Sequence, residues 1–511
     1  MIDRMIQWAL RSQLWVVLVT VGIVVAGVYS LSHLPIDAVP DITNVSVMVN
    51  TQTGALAPEE IERTVTYPIE AELAGLPGVE DVRSLSKYGL SQIIVVFEEG
   101  TDIYFARQLV FERLQSVRSV LPEGMAPELG PVSTGLGEVF MYALTAKQGS
   151  TLAGKPEVER LLYLRTVQDR YIKPVLKSVP GVAEVESNGG FQKEIHVNVV
   201  PERMENNGIV CHDLVNSLES LGENFGGGYI QEKGTQIIVR TQGRIEDLDQ
   251  IRSVPVKMNI FGNAIRVKDI ADVREGHRLR LGAATLEGEE TVLGTVLMRV
   301  GANSRDVALN VEAAVKNIYL PPDVVLHTLY TRSFLVNATI NTVQRNLLEG
   351  GILVVAVLFL ILGNIRAALL VALSIPLSML FAFSGMLQLG ISASLMSLGA
   401  IDFGLIVDGS VVMVENIIRR LDEAGKSGIQ SVADKLALIR EAAAEVGKPV
   451  VYGVFIIMMV YIPILSLSGI EGKMFRPMAL TVIFALSASL LVALFLMPVA
   501  ARYTLRSTGV G

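Results

Sequence analysis

One cysteine, Cys211, stands among 511 residues. It excludes intrachain disulfides and every paired-thiol metal or redox site. Histidine is scarce as well: the five residues are scattered, with no two four positions apart, so no helical His pair of the HExxH kind exists. P-loop and G-x-S-x-G motifs are missing too. These absences exclude nucleotide sites and the common hydrolase sites. No cofactor site is read from these residues. Basic residues do not predominate, since the net charge is −8, and this argues against nucleic acid as a partner. Charged residues make up 18% and hydrophobic ones 50%, which excludes disorder.

The apolar residues are unevenly placed. Residues 35–336 carry a net charge of −11, whereas residues 337–511 carry +2. A bilayer crossing needs about 20 apolar residues. Leu14–Leu34, Gly350–Ile365, Ala367–Ile401, Pro449–Ile470 and Pro477–Ala501 contain no Asp, Glu, Lys or Arg. The third of these is too long for one crossing and breaks at Gln388-Leu389-Gly390. Six spans are therefore expected, at 14–34, 337–363, 367–388, 391–417, 449–468 and 477–500. The first run is too long for a signal-peptide core and has no small-residue cleavage site after it, so it reads as an uncleaved span.

Six spans put both termini on one side. Arg4, Arg11, Arg366, Arg419, Arg420, Lys426, Lys435, Arg440, Lys448, Arg502 and Arg506 fall on that side, which the positive-inside rule makes cytoplasmic. It comprises residues 1–13, the loop 418–448 and the tail 501–511. Lys473 and Arg476 are the exceptions. The acidic region 35–336 then lies outside, in a bacterial periplasm.

That region repeats itself. Leu76-Pro77-Gly78-Val79-Glu80-Asp81-Val82-Arg83-Ser84 is matched by Val179-Pro180-Gly181-Val182-Ala183-Glu184-Val185-Glu186-Ser187. A helical pattern precedes each Pro-Gly, over Pro58–Ala74 and Glu157–Lys177. An alternating strand follows each, over Ser91–Phe97 and Lys193–Val199. The β-α-β-β-α order predicts two ferredoxin-like, split βαβ units in an α+β domain. Between Val200 and Arg274 the texture changes, and Asn224-Phe225-Gly226-Gly227-Gly228-Tyr229 reads as a glycine-rich hairpin turn. The second unit resumes at Thr291–Val300, Arg305–Ile318 and Val324–Tyr330.

The fourth span holds three acids, Asp402, Asp408 and Glu415. A charge at the bilayer centre costs roughly 2.5–3.5 kcal/mol on insertion scales, so such residues face a bundle interior or a wet cavity and mark ion or proton paths. At about 100° per residue, Asp408 and Glu415 share one face, and Asp402 lies about 120° from Asp408. Asp408 is the deepest. Three acids on two faces make a poor metal cage. The metal ligands are left open: Met458-Met459, Met474 and Met478 read as packing, and adjacent Cys211-His212 rarely converge on one ion.

At these residues the chain resembles the amino-terminal half of a resistance-nodulation-division (RND) heavy-metal efflux pump, of the cobalt–zinc–cadmium (CzcA-like) type. The resemblance is carried by Leu34-Pro35-Ile36-Asp37-Ala38-Val39-Pro40-Asp41-Ile42, Tyr67-Pro68-Ile69-Glu70, Asn224–Tyr229 and, above all, Asp402-Phe403-Gly404…Asp408-Gly409…Val414-Glu415-Asn416. It implies a proton/cation antiporter for zinc, cobalt and cadmium in the bacterial inner membrane, assembled as a homotrimer with a periplasmic adaptor and an outer-membrane channel. Asp402, Asp408 and Glu415 become proton-relay acids. The outer region becomes porter subdomain 1 (35–130), porter subdomain 2 (131–180 and 275–336) and a docking subdomain (181–274). Family members have twelve spans, and the other half supplies charged partners of the fourth-span acids. A second RND half is therefore expected as partner, with transport incomplete without it. The alternatives are a copper/silver or other-substrate RND half, a translocon-accessory-like RND half, and a non-transporting remnant.

Overall fold

The computed structural model describes residues 2–37, 40–221, 226–232, 234–240, 245, 247–258, 262–280, 282–426 and 432–505. Arg506–Gly511, Asn224 and Phe225 lie outside them.

Among the described residues, six helical spans are long and apolar enough to cross a membrane: Gln13–His33, Arg332–Leu362, Ile365–Gln388, Met396–Ala424, Lys435–Leu465 and Gly469–Thr504. Each expected span falls on one of them. Several helices overrun the apolar stretch, because an α-helix satisfies its own backbone and continues past the hydrocarbon. An additional helix, Ile2–Arg11, precedes the first span and buries Ile6, Ala9 and Leu10.

Among the described residues five antiparallel sheets stand outside the bundle, two of them with more than two strands. In the first, β1 (Ser46–Gln52), β2 (Val79–Lys87), β3 (Leu90–Phe97) and β4 (Pro127–Leu129) lie in the order β2-β3-β1-β4. Alternation dictates what they bury: Val47 and Val49 from β1, and Ile93, Val95 and Phe97 from β3. Helix Ile103–Val117 covers them with Ala106, Val110, Leu114 and Val117. Asp102 caps it, accepting from the Tyr104 and Phe105 N–H groups.

The second sheet repeats this plan. Strands β5 (Glu138–Ala146) and β6 (Val182–Gly189) join two later strands, Glu289–Met298 and Val324–Thr331, so that β6 and β5 flank Glu289–Met298 and β5 also pairs with Val324–Thr331. The matched Pro-Gly turns work as expected: Gly78 and Gly181 have φ of 75° and 89°. A Cβ on Gly181 would also meet Val307 Cγ2 at 2.5 Å.

The repeat goes further than the sequence match. Each helix before the Pro-Gly turn contains one π-helical stretch, Glu62–Thr66 and Gln168–Ile172. Each stretch ends two residues before a proline at the second position of the next helix, Tyr67-Pro68 and Lys173-Pro174. Proline has no N–H and its ring crowds the carbonyl four residues back, and a widened turn relieves both. A third such stretch, Val492–Leu496, precedes Met497-Pro498 in the sixth span.

The allotment of strands differs from expectation. Strand β7 (Lys193–Val199) does not belong to the second unit; it pairs with Ala271–His277. Strand β6 stays in the second sheet, so the inserted segment starts after Gly189 rather than at 181. The reason is partner choice: β6 finds its neighbour about a hundred residues downstream. The triple glycine is no turn either. Gly226–Glu232 is a strand, β8, whose Glu232 sits opposite Thr235 of β9 (Thr235–Arg240), so the turn falls beyond the glycines.

The matched segment also carries an ion-pair cluster. Glu184 accepts from Lys177 Nζ at 2.7 Å and from the Val185 N–H at 3.1 Å, with Lys173 Nζ at 3.3 Å. Burial pushes its carboxyl up, but Lys177, the N–H and Lys173 together outweigh that and hold it below the usual glutamate range. A depressed carboxylate stabilises the fold above its unfolded pKa of about 4.3, and that contribution is lost as pH falls through the lower folded value. Glu184→Gln should therefore cost on the order of 0.5–1 kcal/mol at pH 7. Thermal melts of the purified chain should show the gap to wild type closing below pH about 4.

Candidate functional site

The approach to the fourth span is built from local capping. Gly390, at φ 67°, ends the third span, and the Ile391 N–H returns to Met386 O at 2.9 Å. Ser394 and Ser397 form a capping box that starts the short helix Leu395–Gly399. The chain then breaks, and the main helix runs over Phe403–Lys426. Asp402 sits outside it: its Oδ1 accepts the Gly404 N–H at 2.8 Å, as an N-cap does. The fourth span is thus not one helix from 391, and the 120° relation of Asp402 to Asp408 does not hold, because Asp402 is not on the helix.

Asp408 and Glu415 are on it, and they share a face as the periodicity predicts. Asp408, Val412, Glu415 and Arg419 are all exposed in this chain and follow one another at spacings of four, three and four. Ile406, Ser410, Met413 and Ile417 on the opposite side are buried. The acids do not face the interior of this chain's bundle; they look out of it. The bundle holds the back of the helix instead. Ser489 of the sixth span donates its hydroxyl to Ile406 O. A Cβ on Gly409 would lie 3.1 Å from Val450 Cγ1 and 3.7 Å from Ala493 Cβ, so glycine lets the fifth and sixth spans close in beside Asp408. Ala493 belongs to the π-helical stretch of the sixth span.

Further along, Asn416 Nδ2 donates to Ala442 O at 2.8 Å and Arg419 Nη2 to Asn416 Oδ1 at 2.7 Å. Arg420 pairs with Glu445 at 2.9 Å. The helix is thereby fixed to the fifth span at this end while its acidic face stays open.

Three contacts that the sequence reading missed tie this region to the outer sheets. Pro35–Asp37 runs beside Ala393, just before the fourth span: the Asp37 N–H donates to Ala393 O and the Ala393 N–H to Pro35 O, both at 2.9 Å. Asp37 pairs with Arg332, at the base of the second span, at 2.8 Å, with side chains only 20% and 10% exposed. Lys473 Nζ donates to Thr43 O at 2.6 Å and to Asn44 Oδ1 at 3.1 Å. This explains why Lys473 departs from the charge asymmetry: it anchors the chain leading into β1. That departure was the signal available in the sequence.

Among the described residues, no group of three or more His, Cys, Asp or Glu side chains is arranged to hold a metal ion. The Met458 sulfur accepts from the Ser487 hydroxyl at 3.4 Å, and Met459 is exposed. Cys211 is exposed at the start of helix Cys211–Glu219.

Helices long and apolar enough to cross a membrane, joined to a β-rich outer region, define a multi-span membrane-protein fold. The chain belongs to the AcrB/AcrD/AcrF family, whose model matches residues 5–509. It is 48% identical over 510 residues to Protein HelA of Legionella pneumophila, covering 99% of this chain and 48% of that protein. It is 47% identical over 504 residues to the cobalt-zinc-cadmium resistance protein CzcA of Cupriavidus metallidurans, covering 98% and 47%. A crystal structure of a heavy metal efflux pump matches with a TM-score of 0.83 at 35% identity, covering 97% of this chain and 48% of that one. The chain spans about half the length of the curated relatives it matches.

Proposed function

We propose that the chain acts as the amino-terminal half of a proton-driven RND antiporter that exports divalent zinc, cobalt and cadmium from the bacterial inner membrane. The observation that carries this is the outward-facing acidic stripe. Two carboxylates directed at hydrocarbon would each cost roughly 2.5–3.5 kcal/mol or more. Their face is therefore covered by protein or water, and a second RND half with cationic side chains fits. Asp408 loads and unloads the proton, and Asp402 and Glu415 relay it at the two ends. The metals follow from similarity to a relative named for cobalt, zinc and cadmium resistance.

The two larger outer sheets are ferredoxin-like porter units, a reading supported by the shared strand order. The insert after Gly189 is the docking subdomain. The assembled pump is a homotrimer working with a periplasmic adaptor and an outer-membrane channel. In metal-sensitive cells, the chain expressed with a second-half polypeptide should raise zinc and cadmium tolerance, and the chain alone should leave it at the vector level. Full tolerance from the chain alone would overturn the need for a second half.

A further inference from the structure

The chain contains two tryptophans, Trp8 and Trp15, and both border one groove of about 220 Å³ between the first, third and sixth spans. Its walls are apolar, formed by side chains such as Val16, Val19, Ile23, Phe381, Leu491 and Phe495. The one hydroxyl there, on Thr20, is turned to its own helix and donates to Val16 O at 2.8 Å. Trp8 meets Phe495 edge-on, with ring centroids 6.2 Å apart.

The amino-terminal helix sets what flanks the groove. It is pinned through Ile6, Ala9 and Leu10, and Gly447 of the fifth span makes room for Ile2 and Ile6. Arg4, Trp8 and Arg11 are exposed at spacings of four and three. At about 100° per residue, both arginines lie within about 60° of Trp8, whereas Asp3 points about 140° away. Among the described residues neither guanidinium has an ion-pair partner, and neither indole N–H has an acceptor. An apolar slot, two indoles and two uncompensated cations thus adjoin one another, the combination that suits the boundary between a bilayer's hydrocarbon and its headgroups.

We propose that this groove binds an anionic glycerophospholipid from the leaflet beside the amino-terminal helix. One acyl chain lies in the slot and the phosphate rests against Arg4 and Arg11. The charge selects the headgroup, since the apolar slot by itself accepts any acyl chain. This site is independent of the transport reading.

The tryptophans are the probe. The full chain is reconstituted in phosphatidylcholine vesicles containing brominated phosphatidylglycerol or brominated phosphatidylcholine, and tryptophan quenching is followed. Brominated phosphatidylglycerol should reach half-quenching at a mole fraction lower by a factor on the order of 10–30, for two basic residues. Arg4→Gln/Arg11→Gln should abolish that difference while quenching at high mole fraction persists. Arg4→Lys/Arg11→Lys should keep it, which separates charge from a folding defect. Equal quenching by the two lipids in wild type would overturn the proposal, as would a preference that survives the glutamine pair or is lost in the lysine pair. No quenching by either lipid would mean that protein covers the groove, and would overturn it too.

Discussion

Asp408→Asn should abolish zinc-stimulated proton release from vesicles holding the assembled pump, without loss of expression. Asparagine keeps the volume and hydrogen-bonding capacity of the side chain but cannot change charge. One proton moving inward yields roughly 2.3 kcal/mol per 100 mV of membrane potential, and harvesting it requires a group that is loaded on one side and unloaded on the other. Asp408 is the acid nearest the middle of the span Met396–Ala424, on a helix whose Gly409 lets the fifth and sixth spans pack against its back. Asp402→Asn should be mild, because asparagine caps a helix about as well as aspartate. Glu415→Gln should also be milder if that acid only passes protons on. Coupling in Asp408→Asn close to wild type would place the proton path elsewhere.

Arg332→Ala should be among the most destabilising single changes in the chain. It withdraws the cation from Asp37 at a site where both side chains are largely buried. Breaking such a pair typically costs about 3–5 kcal/mol, mostly the penalty of the carboxylate left behind. Asp37→Asn in the same chain should recover much of the loss, since the double variant buries no charge. Denaturation of the purified chain in detergent reads both. A cost below about 1 kcal/mol for Arg332→Ala would mean that water reaches the pair freely.

The six spans were legible because hydrocarbon tolerates so few sequences: a run without charge is a strong statement, and each expected span met a helix. The duplicated outer region was legible from two Pro-Gly turns. Pairing was less so. Strands β6 and β7 have similar textures, and only a neighbour far downstream decides which of them joins the second sheet, information that local pattern does not hold. At the site, periodicity placed Asp408 and Glu415 on one face but could not say which way that face looks, because direction depends on what packs behind. Asp402 was misplaced because the serine capping box at Ser394 starts one short helix and a second start follows at Phe403. The Asp37–Arg332 pair joins residues almost three hundred positions apart, beyond any sequence periodicity.

That pair also marks a seam in the chain. Asp37 leaves the bundle and Arg332 re-enters it within hydrogen-bonding reach. The whole outer region is therefore a module spliced into this chain's helical bundle at one point, with its ends side by side as in tolerated domain insertions. The folded sheets themselves hold the ends together, so the outer ends of the first two spans come near each other without the entropy cost of closing a long flexible loop. The bundle and the outer module can then fold in either order, with the ion pair as the clasp that records their joining.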